Sequence, residues 1–293
     1  MDKADIAALL ALGAALFIAI GDVMHQRSAH EVTDEPVGHV QLFISLLKDT
    51  GWWLGSAVAA IGFILQAAAL GFGSVLLVQA LLVTSLLFAL PINARWSHRK
   101  VTRWEWTWAA LLAAAVAVIV TVGNPTEGHS RASLETWTLV AAVLIPLLVI
   151  CVVAAGLLKG PISAVLLAIV SGALWGLFAV LTKGVVHLLS DGLWPLLRAP
   201  ELYAWAAVGI AGTAWQQSSF RAGALTASLP TMTVTEPIVG SVLGIVVLGE
   251  ALRPGEAGWF TLVAAVAVMV VATVALARGE ASAAAVEPEL PGR

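Results

Sequence analysis

Apolar runs of membrane-crossing length, separated by short polar intervals, dominate the chain. They predict nine spanning helices, over 5–24, 52–71, 74–93, 105–123, 136–158, 161–188, 202–220, 224–248 and 257–277. Each is close to the ~20 residues that cross a hydrocarbon core. The interval 25–50 carries Arg27, Glu31, Asp34, Glu35, Lys48 and Asp49 and is too charged to span. Within it VQLFISLL has the pattern of a short interfacial helix. Residues 279–293, rich in Ala, Glu and Pro, are expected as a disordered tail. The first run is expected to be a retained helix, because no convincing small-residue cleavage site follows Gly21-Asp22.

The runs also repeat. A shift of 150 residues brings Gly62 onto Gly212, Gln66 onto Gln216 and Gly73 onto Gly223, so GFILQAAALGFG lies over GTAWQQSSFRAG. This predicts a first repeat over 1–135, a linking helix over 136–160 and a second repeat over 161–278. An odd number of spans separates matching helices, which inverts the second repeat in the membrane. The expected fold is therefore an all-α polytopic membrane protein of about nine helices in two inverted repeats, an arrangement that builds substrate sites near the midplane.

Composition agrees: 60% of residues are hydrophobic and 11% charged, against about 25% charged in soluble domains. Counted over alternate loops, ten Lys and Arg fall on one side and four on the other, Lys183 lying inside a span. The cluster SHRKVTR at 97–103 carries most of that bias, so the C-terminus is expected in the cytoplasm and the N-terminus outside, in a cell (cytoplasmic) membrane. Cys151 is the single cysteine, which excludes an intrachain disulfide and a thiolate metal site. No Walker lysine motif, HExxH, zinc pattern or GxSxG is present, so neither an enzyme nor a cofactor is expected. Membrane lipids are expected partners, nucleic acid is not, and a homodimer stays open.

The sharpest chemical candidate is Glu236. It is the one ionisable side chain between Gly223 and Leu248, and Pro237 follows it. A mid-bilayer charge costs at least about 2.5 kcal/mol on insertion scales, which makes it a functional candidate by default. Pro237 should kink or loosen the helix beside it. The functional reading is a proton or cation site; the bland one is a protonated or paired packing contact. Its equivalent in the first repeat is Leu86, so the halves differ chemically there. Lys183 either snorkels to the interface or pairs with Glu236. Gln66 and Gln216, at one depth in matching helices, are pocket candidates, with Gln79 secondary. Thr233, with Thr231 and Thr235, offers hydroxyls or bonds back to its own helix. Asp22 ends the first helix as a cation receptor or a solvated end. Trp175 and Trp215 lie deeper than the interfacial tryptophans and are secondary candidates. Any metal ligand set stays undefined.

The segment TEPIVGSVLGIVVLGEALRPGEAGW and the apolar helix after it resemble the C-terminal part of an EamA-type repeat of the drug/metabolite transporter (DMT) superfamily. The stretch GFILQAAALGFGSVLLVQALLVTSLLFALP resembles the NIPA-like branch, whose eukaryotic members are linked to magnesium transport. That family usually has ten spans; here the polar stretch 25–50 stands where a second helix would be. The resemblance implies a secondary transporter. The expected cargo is a small polar metabolite or drug-like solute, moved by alternating access and coupled to protons through Glu236. The expected cavity is Glu236, Thr233, Gln66, Gln216 and Lys183. A divalent cation transporter is the alternative, and a lipid-handling protein or a non-transporting scaffold is the reading from another class.

Overall fold

The computed structural model describes residues 2–31, 50–96, 100–158, 161–222, 225–255 and 258–286. The expected interfacial helix VQLFISLL and the last residues of the tail lie outside these. In chain order the elements are α1 (Lys3–Glu31), α2 (Thr50–Phe72), α3 (Val75–Leu82), α4 (Ser85–Trp96), α5 (Arg103–Gly123), β1 (Pro125–Thr126) and α6 (Leu134–Leu157). They continue with α7 (Pro161–Ser190), α8 (Leu193–Arg198), α9 (Pro200–Ala222), α10 (Leu225–Leu248), β2 (Ala251–Leu252) and α11 (Gly258–Val286). The chain is an all-α polytopic membrane protein. Among the described residues eight segments are long and apolar enough to cross a bilayer, α3 and α4 together forming one of them. The expected span 202–220 is the 23-residue helix α9, which carries Gln216, Gln217, Ser218 and Ser219 and is not one of those eight.

Three features differ from expectation. The segment 74–93 is not one helix: it breaks at Val83–Thr84. Both Thr84 donors turn to the Leu81 carbonyl, the amide at 3.0 Å and the hydroxyl at 2.5 Å, which replaces the regular ladder with a tighter turn. Helix α10, by contrast, runs unbroken through both Pro230 and Pro237. A proline removes a single donor, and α7 packs tightly along that stretch. At the C-terminus α11 continues past Gly279 to Val286, because the Ala-rich run there favours helix.

Close packing rests on small residues, as it must where lipid provides no hydrophobic drive between helices. On α1 the residues Ala7, Ala11, Ala14 and Ala15 are fully buried. Gly62 of α2 is so close to α1 that a Cβ there would lie 2.9 Å from the Ile18 backbone nitrogen. Gly172 and Gly176 of α7 do the same for α10: a Cβ on Gly176 would lie 2.7 Å from both the Glu236 carbonyl and the Gly240 nitrogen. Contacts divide the bundle into two groups. Helices α2, α3 and α4 pack on α1; α5, α6, α7, α9, α10 and α11 form the other group, in which α5 packs along α11, and α3 also packs on α10 and, less, on α5 and α7. The strands β1 and β2 pair antiparallel, Pro125 with Leu252 and Thr126 with Ala251, and tie the end of α5 to the end of α10. The seam between the groups runs where α2 meets α7 and α3 meets α10.

The α7–α10 contact gives a direct test. Gly176→Val should cost about 1–3 kcal/mol through forced backbone separation, read as a lower melting temperature of the purified protein. Gly156→Ala, with nothing within 4 Å of the added methyl, should leave it nearly unchanged.

Candidate functional site

The seam is closed at the end that carries β1 and β2. Helix α10 stops at Gly249, whose φ of +66° suits a residue without Cβ. The Gly249 amide donates to Ile245 O at 3.1 Å, the bond of an αL-type helix ending, and the Glu250 amide donates to Gly244 O at 3.1 Å. That turn aims the Glu250 side chain at the N-terminus of α3. One carboxylate oxygen accepts from the Val75 amide at 2.8 Å, and the other from the Leu76 amide at 3.0 Å. Ser74 completes the cap, its hydroxyl accepting from the Leu77 amide at 3.1 Å. The exposed donors of a helix start are thereby used up. The ammonium of Lys183, on α7, donates to Glu250 at 2.8 Å and to the Gly73 carbonyl at 3.0 Å. Lys183 and Glu250 are both buried.

This corrects one expectation: Lys183 pairs with Glu250, not with Glu236. Lys183 lies seven residues from the end of α7 at Ser190, whereas Glu236 lies twelve from the end of α10 at Leu248. At ~1.5 Å per residue the two sit at different depths. Hydropathy does not mark Glu250, which follows a helix end and reads as a loop residue. The signal that points to it is Lys183 itself, since a buried lysine needs a carboxylate at its own depth.

Deeper in the seam, α3 and α10 run antiparallel, Val75 opposite Gly244 and Gln79 opposite Gly240. That register sets the break at Val83 beside Glu236. Val83 lines a shallow crevice of about 10 Å³ with Thr233, Val234, Pro237 and Thr273. Glu236 is half-buried at the crossing with α7. Asp22, on α1 across the seam, is exposed and lies within electrostatic reach of Glu236. The seam is sealed at the β1–β2 end, and Asp22 and Glu236 lie farther along it.

The other expected residues are dispersed. Gln79 is fully buried one turn from Glu236, and its amide nitrogen finds no hydrogen-bond partner among the described residues. The Thr233 hydroxyl bonds back to Leu229 O at 2.8 Å. Gln66 is buried on α2. Gln216 accepts from the Trp175 indole at 3.2 Å between α9 and α7. Trp175 also meets Phe178, which stacks on Trp205 with centroids 5.1 Å apart and reaches across the seam to Phe63 at 5.4 Å. Trp215 packs with Cys151, Val170 and Leu174 toward α6, away from the seam. Among the described residues no three His, Cys, Asp or Glu converge as metal ligands.

No family model matches the chain, and no solved structure matches it. It is 37% identical over 282 residues to an uncharacterized protein of Corynebacterium glutamicum, an alignment that covers 93% of this chain and 95% of that protein.

Removing one member of a buried ion pair leaves the other charge uncompensated, at about 3–5 kcal/mol. Lys183→Met and Glu250→Gln should each lower stability by that order in a denaturation titration. The double variant should recover part of the loss, and additive losses would show that the pair is not coupled.

Proposed function

We propose a transport function for the family to which this chain belongs, that of the Corynebacterium glutamicum protein: secondary active movement of a small polar solute by alternating access. The observation that carries it is the pair Asp22 and Glu236, within electrostatic reach of each other, one on each side of a seam between two helix groups. Ionisable groups are expensive in a bilayer and are kept where they line an ion or substrate path. A scaffold has no use for carboxylates that stay open in its centre. The pair takes up protons or the positive charge of a solute, and because its members belong to different groups, binding there links the charge state to the seam.

The architecture supports this. We take α9 as the ninth span and the two halves as inverted repeats. Gly62 holds α2 against α1, and Gly212, its equivalent, lies against Trp175 and Leu174 of α7. The discontinuity between α3 and α4 beside Glu236 is the kind of irregular backbone that transporters keep at their midplane sites. The resemblance to EamA-type repeats points the same way. With the C-terminus in the cytoplasm, the β1–β2 end faces outward and the accessible carboxylates face the cell. The divalent-cation reading is not favoured, since two carboxylates are few for an ion that takes six or more oxygens.

The test is uptake by purified protein in liposomes across a panel of metabolites, metals and imposed pH gradients. Glu236→Gln and Asp22→Asn should lower gradient-driven uptake about tenfold or more, about 1.4 kcal/mol in transition-state terms, with melting temperature unchanged. Glu236→Gln protein that transports at the parent rate, with the parent pH response, would remove this carboxylate from the mechanism.

A further inference from the structure

The closed end of the seam contains two kinds of contact. The Lys183–Glu250 bond lies within one helix group, joining α7 to the segment after α10. The bonds from Glu250 to the Val75 and Leu76 amides, and from Lys183 to the Gly73 carbonyl, cross to the other group. The pairing of β1 with β2, and the bond from the Arg253 amide to Gly123 O at 2.8 Å, also stay within one group. Of the bonds gathered at Glu250 and Lys183, those to Gly73, Val75 and Leu76 are the ones that span the seam.

We propose that Glu250 and Lys183 are the gate of the β1–β2 end, and that this gate parts between the pair and α3 while the ion pair itself stays closed. Energetics favours that line of separation. Breaking Lys183 from Glu250 would leave two lone charges near the bilayer, each needing its own solvation. Parting along α3 leaves a neutral pair on one side and, on the other, a helix start whose free amides and Gly73 carbonyl are ordinary groups for water to solvate. The carboxylate also uses the positive end of α3 as a docking point, so closing the gate restores charge-assisted bonds at a fixed place. Glu250 thus acts as a positioning residue for α3, and Lys183 keeps it aimed. Further along the same seam Gln79 meets Gly240 with its amide nitrogen unpartnered, so parting the gate uncovers a buried donor next to the Glu236 turn.

The inference rests on the transport reading for the motion it invokes, but its test reads accessibility and needs no known cargo. Leu76→Cys is made in full-length protein lacking the native cysteine (Cys151→Ser), reconstituted in liposomes. A membrane-impermeant maleimide is then added to each side in turn. With the native pair, labelling from the β1–β2 side should be slow but go to completion. The swap Lys183→Glu with Glu250→Lys keeps an ion pair but turns an ammonium toward the α3 amides. Glu250→Asp keeps the charge but is too short to hold both α3 and Lys183. Each should speed labelling from that side about tenfold by raising the open population, with the protein still monodisperse. If the swap or the Asp variant folds and labels at the parent rate, the α3 contact is not the one that parts. If neither variant folds, the native pair decides, and Leu76→Cys protein that never labels overturns the proposal. All of these results can occur with uptake intact, so failure here is distinct from failure of the transport reading.

Discussion

One carboxylate, that of Glu250, holds the bundle in the arrangement described. It joins the N-terminus of α3, the ammonium of Lys183 and the turn that ends α10. In a medium without water every one of those groups needs a partner, and each lacks an alternative nearby. The amides of α3 need an acceptor because the helix starts inside the protein, and Lys183 needs a counter-charge because it is seven residues short of its helix end. The left-handed turn at Gly249 places a single side chain where it meets all of them. The constraint is geometric as much as energetic, since it fixes where α3 sits relative to α10 and therefore which residues face one another along the seam.

From that fixed end the rest of the seam follows. Val75 against Gly244 sets the register that brings Gln79 to Gly240 and the broken backbone at Val83 to the level of Glu236. Glycines on α7 let α10 approach until backbone meets backbone at Glu236. The result is a bundle tightly joined within each group and more lightly joined between them. The bonds of Glu250 and Lys183 cross the seam at one end, and Asp22 and Glu236 lie farther in. A charge-satisfied contact thus closes one end, and the two carboxylates lie beyond it along the same seam.

Much of the fold was legible in the apolar pattern, because each span must satisfy its own backbone and so appears as a long run. Most helix ends agree with the runs to within a few residues, as for Thr50–Phe72 against 52–71 and Pro161–Ser190 against 161–188, while α1 runs seven residues past its expected end to Glu31 and α11 nine past its own to Val286. What the pattern missed was decided by groups that hydropathy does not weigh. Thr84 breaks its helix by taking Leu81 O with both donors, a choice no periodicity records. Pro237 has the look of a breaker, yet α10 continues through it. In the site, Glu236 and Asp22 stand out because ionisable groups are rare in apolar runs, and the structure brings those two within reach of each other. Glu250 does not stand out, since next to Gly249, Arg253 and Glu256 it looks like one more loop charge. Only the depth of Lys183 points to it.

Distances across the seam test the central claim most directly. In protein lacking Cys151, one spin-label pair at Phe72 and Leu189 spans the β1–β2 end and a second at Trp96 and Ile162 spans the opposite end; all four sites are exposed. Pulsed electron–electron resonance in lipid nanodiscs, across pH and after addition of any transported solute, should give two distance populations per pair. The populations should trade in opposite senses, the outer pair lengthening as the inner one shortens. A single distance at each end, unchanged under every condition, would contradict an account in which two helix groups rock about Asp22 and Glu236.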